Sequence, residues 1–204
     1  MPHPIRKNTP ENPHRAGPER SREGSQRASA SYGAGAISNG TRKFPLSVIV
    51  LTYNEELHLG KCLRSVSFAD EIFVVDSFST DKTVAIAKKF GARVVEHAFK
   101  NQADQFNWAL QNLKISNDWV LRLDADEWLT PELVAEIQDR LSHVESGISG
   151  FYMKRRVYFM GSWIKYGGYY PIWILRLFRR GQAKSEEREM DEHIVLLSGR
   201  AARL

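Results

Sequence analysis

From residue 44 onward the apolar positions alternate between two rhythms, a short unbroken run and then a stripe at helical spacing. Residues 46–52 (LSVIVLT) are a run rich in β-branched side chains, bounded by Pro45 and by Tyr53-Asn54-Glu55-Glu56, and predict a buried strand. Leu59, Cys62, Leu63 and Val66 then fall at i, i+3, i+4 and i+7, one face of a helix, which makes Cys62 a small core residue. Residues 71–75 predict a second strand that ends in Asp76-Ser77. Ser79-Thr80-Asp81 supplies cap residues for a helix with Thr83, Ile86, Ala87 and Phe90 turned inward, and Gly91 suits its C-terminal end. Residues 92–95 predict a third strand. A helix from about Gln102 carries Phe106, Ala109, Leu110 and Leu113 on one face. Residues 118–123 predict a fourth strand. Thr130 as cap and Pro131 at the first position open a helix with Leu133, Val134, Ile137, Leu141 and Val144 on its apolar side.

A strand–helix unit repeated with short connections predicts an α/β fold: a mostly parallel sheet, right-handed crossovers and flanking helices. Three of its strands end in polar or acidic groups, at Asn54/Glu55, at Asp76/Ser77 and at Asp124/Asp126. A parallel sheet sets such ends along one edge, and open α/β sheets bind ligands there. The fourth strand runs LRLDADEW, which leaves Asp124, Asp126 and Glu127 together where a hard cation such as Mg²⁺ or Mn²⁺ and the phosphates of a substrate would fit. An acidic turn before a helix is the competing reading of that motif alone.

After Gly150 the chain changes character. Residues 151–160 and 172–179 predict strands of a smaller, mixed C-terminal sheet region, dense in aromatics with Lys154, Arg155, Arg156, Arg176, Arg179 and Arg180 interleaved. Sugars stack on aromatic faces and Arg pairs with phosphate, so the stretch suits a glycosylated or anionic ligand; a solvated basic sheet edge and contact with an anionic membrane surface are the alternatives. Met190-Asp191-Glu192-His193 brings carboxylates back near the end of the chain, as a general base or as a solvated turn.

Charge sharpens the division of the chain. Residues 1–43 hold eight Lys/Arg against three Glu, whereas the remainder holds 21 of each sign. Residues 1–43, rich in Pro, Gly, Ser and Arg, predict a disordered basic tail, and residues 44–204 one folded domain. The folded part is neutral overall, which argues against a nucleic-acid partner. With Cys62 as the single cysteine there is no intrachain disulfide, in keeping with a reducing compartment. No apolar run reaches the roughly 18 residues of a membrane span.

Three ordered motifs, VLTYNEE at residues 50–56, VVDSFSTD at residues 74–81 and LDADE at residues 123–127, resemble glycosyltransferase family 2, whose fold is GT-A. Residues 102–110 (QADQFNWAL), residues 176–180 and Asp191-Glu192-His193 are similar to the bacterial branch containing lipopolysaccharide-core β-1,4-glucosyltransferases. The resemblance implies an inverting, metal-dependent transferase, with Mg²⁺ or Mn²⁺, a nucleotide-sugar donor, most often UDP-linked, and a cell-envelope glycolipid or polysaccharide acceptor. Thr52, Tyr53, Asn54, Glu55 and Asp76 would hold the nucleoside; Asp124 and Asp126 would face the ribose and the metal-bridged diphosphate. Glu192, with Asp191 as the alternative, would be the base, and Arg176 would contact phosphate or acceptor unless it pairs within the sheet. The expected place is the cytoplasm, peripheral contact with the cytoplasmic face of the inner membrane being an option. Members of the branch continue beyond the point matching Leu204, so a C-terminally truncated, catalytically weak nucleotide-sugar-binding module is the alternative function.

Overall fold

The computed structural model describes residues 43–168, 170–186 and 193–204. The expected tail up to residue 42, and both Asp191 and Glu192, lie outside the described residues.

The first part of the domain follows the predicted alternation. Its elements are β1 (Phe44–Thr52), α1 (Leu59–Ser65), β2 (Ala69–Asp76), α2 (Thr83–Lys89), β3 (Arg93–Glu96), α3 (Gln102–Asn112), β4 (Trp119–Asp124) and α4 (Pro131–Ser142). Then come β5 (Ile148–Arg155), β6 (Tyr158–Phe159), β7 (Ser162–Trp163), β8 (Ile172–Arg179), β9 (Ala183–Ser185), β10 (Ile194–Leu196) and β11 (Arg200–Arg203). Seven strands form one sheet in the order β11-β5-β8-β4-β1-β2-β3. β3, β2, β1 and β4 are parallel neighbours, β11 is parallel to β5, and β8 runs antiparallel between β4 and β5. The fold is thus the expected α/β class. Its mixed C-terminal part is continuous with the central sheet, because β8 pairs along β4.

Alternation along β1 divides the core between the two faces. Leu46, Val48 and Val50 pack with Leu59, Cys62 and Leu63 of α1, Ala87 of α2 and Ile137 of α4. Ile49 and Leu51 pack with Phe106 and Ala109 of α3, where Phe106 meets Phe178 edge-on at 6.0 Å. The cap expected at Thr130 is present, that of α3 falls to Asn101, and α2 begins after Lys82, which makes no side-chain cap bond. Thr130 Oγ1 accepts from the Leu133 amide at 3.3 Å with Pro131 next to it, and Asn101 Oδ1 accepts from the Asp104 amide at 2.7 Å. One expected element is corrected. The strand expected over residues 151–160 stops at Arg155, where its register partner Ile172 begins β8, so no neighbour continues the ladder. β6 and β7 pair only with each other, as a hairpin turned through Met160 and Gly161 at φ 49 and 77.

At the opposite end of β2 from its acidic terminus, Glu71 is buried as the centre of a polar cluster. It accepts from Ser47 Oγ at 2.6 Å, from the Ser116 amide at 2.9 Å, and from Arg93 Nη1 and Ser116 Oγ at 3.0 Å. Burial raises its pKa, but these donors outweigh it and hold the carboxyl below its usual range. A depressed folded pKa stabilises the fold above the unfolded value near ~4.3 and loses that contribution as pH falls through the folded value. Glu71→Ala is expected to cost about 1–3 kcal/mol at neutral pH, by leaving the buried Ser47 hydroxyl without its partner, and to flatten the acid limb of the stability curve. Urea melts of both proteins across the acid range measure this.

Candidate functional site

The sheet register brings the predicted strand ends together. Thr52 at the end of β1 lies opposite Asp76 of β2, and Leu51 lies opposite Asp124 of β4. Beyond these points the chains separate into two loops that brace each other. Asn54, at φ 51, donates its amide to Ser79 Oγ at 2.8 Å and accepts at Oδ1 from the Thr80 amide at 2.8 Å. The Glu55 amide donates to Thr83 Oγ1 at 2.8 Å, and the Glu55 carboxylate meets His58 Nδ1 at 2.8 Å. Asp76 is fully buried and accepts from the Ser79 amide at 2.7 Å and from Ser79 Oγ at 2.5 Å. Asp81 accepts from the Thr83 and Glu56 amides at 2.9 and 3.1 Å, which is a role in joining the loops. Tyr53 is exposed, whereas Thr52 Oγ1 is buried with no hydrogen-bond partner among the described residues. A buried hydroxyl without a protein partner can pair with a water or with a polar ligand group.

The acidic motif is not a free cluster of carboxylates. Arg122, two residues earlier on the same face of β4, donates through Nη2 to Asp124 Oδ1 at 3.1 Å and to Gln102 Oε1 of α3 at 2.8 Å. Arg176 of β8 donates through Nη2 to Asp124 Oδ2 at 2.8 Å and to Glu127 Oε1 at 2.9 Å. Glu127 Oε2 accepts in turn from the Asp124 amide at 3.1 Å. Both guanidinium groups are buried, and the two cations offset the two anions. Burial pushes the Asp124 carboxyl up, but Arg176 and Arg122 pull it below its usual range. For Glu127 burial prevails, helped by the charges of Asp124 and Asp126, and its pKa is raised despite Arg176. Asp126 stands apart: it is exposed and has no hydrogen bond or ion pair among the described residues.

These groups line a cleft of about 640 Å³. Its lining includes the carboxylates of Asp124, Asp126, Glu127, Glu132 and Glu136 together with Lys154, Arg155, Arg156, Arg176 and Tyr158. Trp128 meets Tyr158 with ring centroids 5.9 Å apart, and Lys61 Nζ lies 3.0 Å from the Trp128 ring centre. The cleft is therefore bipolar, with an aromatic pair at its side.

No three His, Cys, Asp or Glu side chains converge as a metal site among the described residues. The donor chemistry still fits a hard divalent ion at Asp126, because its carboxylate is free while each Asp124 oxygen holds an arginine. An ion bound by one carboxylate and completed by water and substrate phosphate needs no three-residue cage. The structure thus gathers Thr52, Tyr53, Asn54, Glu55, Asp76, Asp124, Asp126 and Arg176 at one sheet edge. It adds Arg122 and Trp128, which sequence reasoning passed over as site residues, and gives Glu127 of the acidic motif a partner in Arg176. The signal for Arg122 was present, as a charged residue inside an otherwise apolar strand at i−2 from an Asp.

Residues 47–195 match the family model described as Glycosyl transferase family 2. The chain is 34% identical over 164 residues to the lipopolysaccharide core biosynthesis glycosyltransferase LpsC of Rhizobium meliloti, across 75% of this chain and 58% of that protein. It is 45% identical over 94 residues to an uncharacterized glycosyltransferase of Rickettsia conorii, across 46% of this chain and 33% of that one. The chain thus spans between about a third and a little over half of these relatives' lengths. Among solved structures it is similar to S. aureus TarS 1-349, at 26% identity and TM-score 0.47, over 54% of this chain and 35% of that one. Glucosyl-3-phosphoglycerate synthase of Mycobacterium tuberculosis, solved in complex with UDP, matches at 25% identity and TM-score 0.47, over 55% of this chain and 45% of that one.

Proposed function

Because the chain belongs to glycosyl transferase family 2, we propose that it is an inverting, metal-dependent glycosyltransferase. It moves a sugar from a nucleotide-sugar donor, UDP-linked, to a glycolipid or polysaccharide acceptor of the cell envelope. The observation that carries this reading is the free Asp126 carboxylate beside the arginine-held Asp124, whose register partner Leu51 immediately precedes the Thr52–Asp76 pair at one edge of the sheet.

In this reading Thr52, Tyr53, Asn54, Glu55 and Asp76 receive the nucleoside, with Thr52 Oγ1 gaining the partner it lacks. Asp126 holds Mg²⁺ or Mn²⁺, which would offset the charge developing on the departing diphosphate. Arg122 and Arg176 fix Asp124 in one rotamer and keep it ionised, so that it can accept a hydrogen bond from ribose. Arg176 serves here by positioning Asp124 and Glu127. Glu192, with Asp191 as the alternative, removes the proton of the acceptor hydroxyl as its oxygen attacks the anomeric carbon opposite the leaving diphosphate. Such a single displacement inverts that centre. No helix among the described residues is long and apolar enough to cross a membrane. In this reading the domain meets its glycolipid acceptor by peripheral contact at the cytoplasmic face of the inner membrane.

The test is UDP binding to the full chain by calorimetry, with and without Mn²⁺, beside a melting curve. Binding that requires the ion is the expected result. No binding by a chain that melts cooperatively overturns the UDP-linked donor. Binding without sugar transfer to envelope glycolipid would favour a nucleotide-sugar-binding module.

A further inference from the structure

The tip of the β6–β7 hairpin lies outside the lining of the cleft and carries exposed apolar side chains next to one another. Phe159 and Met160 at its tip are 66% and 90% exposed, and Tyr166 just after it is 84% exposed. The turn through Met160 and Gly161 uses positive φ at both positions, which matches the right-handed twist of a tight hairpin and makes the tip project. No third strand covers it, because β6 and β7 form a sheet of two. A methionine held in the left-handed region at a fully exposed turn carries a backbone cost, with no compensating burial in the domain itself.

Below the apolar tip lies a belt of positive charge and aromatic rings. The guanidinium of Arg156 and the ammonium of Lys165 each lie 4.9 Å from the Trp163 ring centre. Lys154 and Arg155 follow along the end of β5. From residue 151 to residue 185 the chain has eight Lys or Arg and no Asp or Glu. An apolar tip, aromatic rings with one polar end, and cations at the base is the order of groups met on moving out of a bilayer with anionic headgroups. A protein partner of matching shape would need an acidic groove with an apolar floor; a membrane offers that chemistry without any shape requirement.

We infer that the β6–β7 hairpin is a membrane-interface anchor, inserting Phe159 and Met160 among the acyl chains of an anionic bilayer while Arg155, Arg156 and Lys165 meet lipid phosphates. Tyr158 at the hairpin's root lines the cleft and packs on Trp128 beside the acidic motif. Docking of the tip would therefore hold the mouth of that cleft at the headgroup layer. The inference deepens the proposed use of a glycolipid acceptor by naming the segment that meets the lipid. It is read from vesicle binding alone, so its failure and the failure of the transferase reading are separate results.

The experiment uses the full chain with phosphatidylcholine vesicles, with and without phosphatidylglycerol. Wild type is expected to sediment with the anionic vesicles, more weakly at high salt. The double variant Phe159→Ser/Met160→Ser removes only exposed side chains and is expected to partition at least about tenfold more weakly, with an unchanged melt. The basic residues 1–42 are identical in both proteins, so the difference reads the hairpin. A second readout places an environment-sensitive dye at Met160→Cys; Cys62 is buried and stays unlabelled. A blue shift on anionic vesicles supports insertion. Equal partition of wild type and double variant, or an unshifted dye, overturns the anchor. Loss of a dimer by the double variant in light scattering, with no vesicle binding by wild type, assigns the tip to a second copy of the chain instead.

Discussion

Asp126→Asn is expected to remove metal-dependent UDP binding while leaving the fold untouched. The carboxylate is exposed and bonds to nothing among the described residues, so an amide of the same shape costs the protein little; exposed substitutions of this kind change stability by about 0.5 kcal/mol or less. As a metal ligand the same group is indispensable. Substitutions one shell further out already weaken metal sites ~10–100-fold, so loss of the ligand itself should cost at least about a hundredfold. Calorimetry with Mn²⁺ should return the affinity that wild type shows without the ion. Asp124→Asn is the informative contrast. Its carboxylate holds two buried arginines at 3.1 and 2.8 Å. Removing that charge leaves the buried Arg122 without its ion pair and Arg176 with Glu127 alone, at a cost on the order of 2–3 kcal/mol, so this variant should lose stability as well as binding. Equal effects of the two substitutions on the melt would refute the division of labour between them, and an unchanged UDP affinity in Asp126→Asn would take the metal away from that residue.

That division was only half legible in the sequence. The strand ends could be aligned in advance, because a parallel sheet built from short strand–helix units has one edge where Thr52, Asp76 and Asp124 must gather. The caps at Thr130 and Pro131 were equally local and equally readable. What could not be read was the state of the carboxylates. Arg176 sits 52 residues beyond Asp124, on a strand that enters the sheet antiparallel between β4 and β5. Periodicity says that residues 172–179 form a strand, but it does not say which neighbours that strand takes. Hence the sequence left Arg176 open between ligand contact and pairing in the sheet, and the position it takes makes it a support for Asp124 and Glu127. The same limit explains the expected strand over residues 151–160. Its apolar content continues to Met160, while the ladder that would stabilise it ends at Arg155 for want of a partner. The side chains left over became the exposed hairpin.

Glu192→Gln should lower sugar transfer ~10²–10⁴-fold with donor affinity almost unchanged, the range that general-base help contributes. Glu192 and Asp191 themselves lie outside the described residues, but the chain on either side is fixed. The Glu186 amide donates to the His193 carbonyl at 2.9 Å, and Ser185 of β9 is opposite Ile194 of β10. Helix α3 connects this pair to the acidic motif: Asn107 exchanges hydrogen bonds of 2.9 and 2.8 Å with the Ser185 backbone, and Gln102 holds Arg122, which holds Asp124. The described chain just before Asp191 and Glu192 is thus tied, through Ser185, to the helix that supports the donor site. Kinetics with UDP-sugar and envelope glycolipid, together with UDP calorimetry on the same preparations, separate the cases. A large fall in turnover for Glu192→Gln, with Asp191→Asn near wild type, assigns the base to Glu192; the reverse assigns it to Asp191. A base must be ionised to act, so wild-type turnover should fall as pH drops through its pKa. The variant that removes the base should lose that limb of the profile. Turnover at the wild-type level in both variants would mean that neither carboxylate takes the proton.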